Sequence, residues 1–180
     1  VAHRADVASD FGAPELITEL NTEAWEAGPA LSADGLTMFF YSDRSGGAGG
    51  LDIYVAQRAT LSSSFEPATA LTEINTSSHE GVPVLSSDGL TLYYTSNRHD
   101  GVGSWDVWAA ERADSSSAFG APFNIAELNT TNDDYPSWIS SDGLELFIQS
   151  NRDGGVGIWD MWRTTRASTS DRVDSPEVFS

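Results

Sequence analysis

The sequence predicts an all-β fold, a β-propeller segment made of four-stranded blades. Three observations carry this. The chain repeats itself every 54 residues, each repeat holds several short strand-like runs bounded by turn residues, and no segment has a convincing helical period.

The repeat runs from end to end without a gap. Ser32-Ala33-Asp34-Gly35 falls on Ser86-Ser87-Asp88-Gly89 and then on Ser140-Ser141-Asp142-Gly143. Ser42-Asp43-Arg44 falls on Ser96-Asn97-Arg98 and Ser150-Asn151-Arg152. Asn21-Thr22, Asn75-Thr76 and Asn129-Thr130 match, as do Arg58, Arg112 and Arg166. Even Val1-Ala2-His3-Arg4-Ala5 matches Val55-Ala56-Gln57-Arg58-Ala59, so the chain holds three copies and a third of another. The expected organisation is one propeller segment over 1–180. Its blades lie near 25–78, 79–132 and 133–180, and residues 1–24 supply the last strands of a preceding blade, at 1–5 and 14–20. The chain is therefore expected to be an excised piece of a longer ring, completed by further blades or by another copy of itself.

Within a repeat the elements follow in order. A short first strand near 29–32 ends at the turn pair Asp34-Gly35. The second strand, Thr37-Met38-Phe39-Phe40-Tyr41, carries large apolar side chains on both faces, as a strand buried on both sides must. A Gly-rich loop over 45–50 follows, and its glycines Gly47, Gly49, Gly101, Gly103, Gly155 and Gly157 are expected to supply positive φ. The third strand runs over 51–56, with Trp105-Asp106-Val107-Trp108 and Trp159-Asp160-Met161-Trp162 as its mates. A Ser-rich loop leads to an outer fourth strand near 68–73. Residues 14–20 come nearest to a helix, but their repeat mates contain β-branched residues and Pro.

The motif "P-x-L-S-x-D-G-L-T-x-Y-x-S-x-R-x-G-G-x-G-x-x-D-I-Y", read across the three copies, resembles the WD-repeat-like propellers related to the TolB propeller. These are common in secreted and envelope proteins of bacteria. The resemblance implies an extracytoplasmic, bacterial setting. It also implies a role either as a protein-binding propeller or as a propeller joined to peptidoglycan-binding or enzyme domains.

Bulk composition narrows the partners. Twenty-seven acidic residues face nine Arg and no Lys, giving a formal charge of −18. Such a chain repels nucleic acid and anionic lipid and favours neutral or cationic ligands. With no Cys, disulfides and thiolate metal sites are excluded. No apolar run approaches the ~20 residues of a membrane helix.

In a four-stranded blade the loops 21–28 and 43–50 share one face, and the loops 33–35 and 58–65 share the other. Three structural pairs are expected: Arg44 with Asp52, Arg98 with Asp106 and Arg152 with Asp160. Each Arg ends strand two and each Asp begins strand three, so hairpin pairing would bring them together. The alternative is an Arg-lined ligand site. Glu26, Glu80 and Asp134 precede the innermost strands and are expected to ring the mouth of the central channel. There they either cap loop amides or attract a divalent cation such as calcium or a cationic partner. Trp25, His79, Asp133 and Tyr135 lie beside them and differ from copy to copy, so these seven residues form the candidate ligand-binding face. Trp25 and Trp138 lack aromatic mates and suit stacking on a sugar or a side chain; Trp105, Trp108, Trp159 and Trp162 fit interblade packing.

Catalytic signals are weak. His3, His79 and His99 have no His mates, and no P-loop, zincin or nucleophile-elbow motif is present. The stretch beginning at Ser150 resembles the Asp-box of sialidases with its Asp one place late. Asn75-Thr76-Ser77 and Asn129-Thr130-Thr131 are formal glycosylation sequons. The expected function is a non-catalytic binding module for a protein or glycan, without a required cofactor. The alternative is a propeller-type hydrolase that uses channel-mouth carboxylates.

Overall fold

The fold is described from a computed structural model, which covers every residue except His3, Ala5, Arg172, Ser175, Phe179 and Ser180. The first repeat forms strands β1 (Glu26–Leu31), β2 (Thr37–Ser42), β3 (Asp52–Gln57) and β4 (Thr69–Ala70). The second forms β5 (Glu80–Leu85), β6 (Thr91–Ser96), β7 (Asp106–Glu111) and β8 (Phe123–Asn124). The third forms β9 (Asp134–Ile139), β10 (Glu145–Ser150), β11 (Asp160–Thr165) and β12 (Glu177–Val178). Each set is a separate antiparallel sheet in chain order, and the described residues contain no helix. A blade is what results when short consecutive strands are joined in chain order, here by one tight turn at 32–36 and two longer loops at 43–51 and 58–68.

The inner strands begin earlier than the turn signals suggest. Glu26 pairs with Ser42 and Ala27 with Tyr41, and a bulge then shifts the register to Ala30 with Phe39. The second blade repeats this between Gly81 and Val84. Gly28 occupies the first bulge at φ 60°, and its mate Val82 sits at φ 48°, the one non-Gly residue at positive φ among the described residues. The outer strands are two residues long, shorter than expected. Residues 14–20 form no strand. Val1 and Glu15 do exchange both backbone bonds, which makes them repeat mates of the β3–β4 partners Val55 and Thr69. The expected strand at 1–5 includes His3 and Ala5, which lie outside the described residues.

The core lies between the blades. Phe39 and Ile53 of the first blade meet Leu71, Ile74, Leu92, Tyr94 and Trp108. Tyr93 and Val107 of the second meet Ile125, Leu128, Leu146, Ile148 and Trp162. Burying each such side chain stabilises the stack by roughly 1.5–3 kcal/mol. Phe40 and Tyr54, on the free side of the first blade, are covered by Leu20 and Ile17.

The turns and loops are held by side chains. In the first turn the Ser32 hydroxyl donates to Asp34, which accepts the Leu36 amide, while Gly35 takes φ 72°. The Gly-rich loop glycines differ from expectation. Positive φ falls on Gly46 and Gly154, not on Gly47, Gly49 or their mates. Those glycines are required by space: a Cβ on Gly47, Gly101 or Gly155 would overlap the carboxylate of Asp52, Asp106 or Asp160, and one on Gly49 or Gly103 would overlap backbone of the next blade.

Candidate functional site

The Arg–Asp pairing read from the sequence is corrected. Arg44, Arg98 and Arg152 pair with Glu26, Glu80 and Asp134, at 3.0, 3.2 and 2.6 Å. The reason lies in the register. Ser42, Ser96 and Ser150 pair directly with these acids across the first two strands, and each Arg follows two residues later, folding back through its own Ser hydroxyl. Each guanidinium also donates to a carbonyl of the preceding loop, Leu20, Ile74 or Leu128. Arg98 and Arg152 lie over the rings of Trp108 and Trp162. Asp52, Asp106 and Asp160 fasten the Gly-rich loops instead. Asp52 accepts the amides of Ala48 and Gly49, Asp106 those of Val102 and Gly103, and Asp160 that of Gly157. Burial raises the Asp106 carboxyl above its ordinary value, with the loop amides opposing and the Asp134 and Asp133 charges adding to the rise.

These three acids are therefore part of the scaffold. Glu80 and Asp134 have no exposed side-chain surface, and Glu26 keeps 12%. Besides its Arg, Glu80 accepts the Thr76 amide at 2.8 Å, the Thr76 hydroxyl at 2.7 Å and the Ser96 hydroxyl at 2.8 Å. Among the described residues no cluster of three or more His, Cys, Asp or Glu side chains is placed to hold a metal. The sequon residues are also occupied. Asn75 clamps both backbone groups of Ile53, and Asn129 clamps both of Val107, with all four bonds between 2.7 and 2.9 Å. On the opposite face Arg58, Arg112 and Arg166 donate to the turn carbonyls of Gly35, Gly89 and Gly143.

What remains accessible on the candidate face is aromatic. His79, Trp105, Tyr135 and Trp159 form a continuous row, with successive ring centroids 5.9, 6.0 and 5.5 Å apart. Trp25 stands apart, 58% exposed and edge-on to Tyr41 at 5.8 Å. The loops holding this row are fixed from below: the amides of Trp25, His79 and Asp133 donate to Asp43, Asn97 and Asn151. His79 Nδ1 accepts the Leu51 amide at 3.0 Å, so the neutral ring carries its hydrogen on Nε2. Burial and the Asp133 charge push the Tyr135 phenol up to about 12, which keeps it a neutral donor. Tyr135 and Trp159 also wall a groove of about 450 Å³ together with Val82, Pro136, Ser137 and Gln149. Trp105 and Trp159 belong to this row, although their repeated positions suit interblade packing when the sequence is read alone. The signal that could have found them is positional: both open strand three, on the same face as the drifting loop. Trp138 packs against Phe147 across β9 and β10 while keeping about half its surface exposed.

No family model matches the chain, and no curated protein does. Solved structures do. A structure described as TolB from Agrobacterium tumefaciens is 20% identical with a TM-score of 0.57, covering 97% of this chain and 58% of that one. TolB from Acinetobacter baumannii is 15% identical with a TM-score of 0.54, covering 84% and 33%. A Trypanosoma rangeli sialidase in complex with the inhibitor DANA is 10% identical with a TM-score of 0.53, covering 94% and 32%. The chain thus spans between a third and somewhat over half of these proteins. The likeness covers most of the chain, and it shows that the chain has a β-propeller fold like that of the TolB structures, with its three four-stranded sheets not closed into a ring.

Proposed function

We propose that this chain is the blade-forming part of a non-catalytic binding propeller, which holds a neutral glycan or a protein segment against the aromatic row. The observation that carries the reading is the division of labour on one loop face. Glu80 and Asp134 are spent in buried ion pairs, while His79, Trp105, Tyr135 and Trp159 stay in reach of solvent as a row of rings. Rows of rings on a rigid scaffold bind by stacking and apolar contact. Asp133 and the hydroxyl of Tyr135 add polar recognition at the same place. Hydrolysis of a glycoside needs two carboxyl groups facing each other across a cleft, and Glu26, Glu80 and Asp134 turn into their arginine pairs instead. No cofactor enters the reading, and the −18 charge disfavours nucleic acid and anionic membranes as partners. The setting that fits is extracytoplasmic, with the ring completed by further blades or by a second copy.

A glycan array followed by titration of the best binder tests this. Trp105→Ala and Tyr135→Ala should each weaken binding about tenfold or more while the thermal melt stays cooperative. Titration with calcium should give no heat. Unchanged affinity in both variants, or turnover of a glycoside or peptide substrate, would overturn the reading.

A further inference from the structure

A ring that fills one junction between blades is missing from the other. Phe65, Phe119 and Val173 are repeat mates, each in the loop before the fourth strand of its blade. The backbone there is the same in all three copies. The next residues, Glu66, Gly120 and Asp174, donate their amides to the carbonyls of Gln57, Glu111 and Thr165 at 2.7, 2.7 and 2.9 Å. Phe119 is buried between the first and second blades, its ring edge-on to Phe39 with centroids 6.0 Å apart. The Arg112 guanidinium lies over the same ring at 4.6 Å, anchored by its bond to the Gly89 carbonyl. Phe65 lies under Arg58 in the same way, at 4.7 Å.

Between the second and third blades the frame of this pocket is kept and the ring is not. Arg166 donates to the Gly143 carbonyl at 2.8 Å, the pose of Arg112, and Tyr93 stands where Phe39 does. Val173 takes the place of Phe119 and carries no ring. A cavity of about 580 Å³ opens there, walled by Tyr93, Arg166 and Val173 together with Ile125, Glu111 and Asp171. It lies between two blades that both have all four strands. Its surroundings have also drifted toward charge and polarity. Glu111 and Asp171 replace the Gln57 and Ser117 of the first junction, and Tyr93 and Asn124 replace Phe39 and Ala70.

We propose that this cavity is a binding site for an aromatic amine, a ring with a protonated amino group a short chain away. The ring takes the place that Phe119 fills one junction earlier, under the guanidinium of Arg166 and against Tyr93. Cation–π and edge-to-face contacts hold it there, as they hold Phe119. The amino group is taken by Glu111 and Asp171, which line the same cavity and have neutral mates in the first junction. A concave, partly apolar space with a few convergent polar groups is the usual form of a small-ligand site. A free amine and a peptide with an N-terminal phenylalanine carry the same chemistry, and the experiment separates them. The site shares no side chain with the aromatic row.

Phenethylamine titrated into the chain should saturate with a dissociation constant of about 1 mM or below. The neutral 2-phenylethanol and the ring-saturated cyclohexylethylamine should each bind about fivefold or more weakly. Cross-relaxation between the ligand's ring protons and the Val173 methyls should locate it. Val173→Phe supplies the missing ring, so it should abolish binding and raise the melting temperature, as filling a cavity does. Glu111→Gln with Asp171→Ser restores the residues of the first junction. That double variant should fold as the parent does and bind phenethylamine no better than 2-phenylethanol. A tripeptide with N-terminal phenylalanine that binds as tightly as phenethylamine assigns the site to a peptide end, and its exclusion assigns the site to a free amine. Absence of saturable phenethylamine binding overturns the proposal. So does binding that survives Val173→Phe, a Val173→Phe chain that melts below the parent, or equal affinity for the three small probes. None of these readouts depends on what the aromatic row holds.

Discussion

Removing Arg98 is the sharpest test of how the blades are held. Its guanidinium donates to Glu80 at 3.2 Å, to the Ile74 carbonyl at 2.9 Å and to the Tyr94 hydroxyl at 3.1 Å, and it lies 4.6 Å from the Trp108 ring centre. Glu80 has no exposed side-chain surface. Arg98→Ala therefore leaves a carboxylate buried with only its Thr76 and Ser96 donors. Breaking a buried pair from one side costs about 3–5 kcal/mol. Arg44→Ala should cost less, because Glu26 retains access to water and can be rehydrated. Urea unfolding followed by tryptophan fluorescence measures both. A double-mutant cycle then identifies the partner: Arg98→Ala with Glu80→Gln should show coupling above about 1 kcal/mol, and more than Arg98→Ala with Asp106→Asn. A cost below about 1 kcal/mol for Arg98→Ala, or stronger coupling to Asp106, would refute the reasoning.

Three further outcomes follow from the same geometry. Asn129→Ala should cost about 1–3 kcal/mol in urea unfolding, since it strips both backbone partners from the buried Val107 on the third strand of its blade. Val82→Gly should melt no lower than the parent, because relief of a positive φ offsets the lost side chain, whereas Val84→Gly on the same strand should melt clearly lower. The Ser86 hydroxyl, at 2.6 Å, is the main cause holding the Asp88 carboxyl below its ordinary value. A depressed carboxyl stabilises the fold above its unfolded value, about 4, and that contribution is lost as pH falls through the folded value. The stability deficit of Ser86→Ala should therefore shrink below about pH 4, and a deficit constant with pH would show that the hydroxyl does not act through Asp88.

The 54-residue period, the Asp-Gly turns and the two-sided apolar second strands were enough, by themselves, to determine the architecture: three sheets of four strands, stacked through large side chains. These signals are local or strictly periodic, so they survive without knowledge of what lies across a junction. Partner choice is different in kind. Arg98 has Asp106 eight residues away and Glu80 eighteen away, and sequence spacing favours the nearer acid. The fold gives it the farther one, because antiparallel register places Ser96 beside Glu80 while the loop glycines draw Asp106 inward to bind amides. The role of Glu80 and Asp134 turned on the same point. A repeated acid on a drifting loop has the same signature in sequence whether its carboxylate faces solvent or an arginine. Burial decides between these, and burial is a property of the assembled blades. The row of His79, Trp105, Tyr135 and Trp159 likewise draws its rings from two blades, so only the stacking of sheets could bring it together.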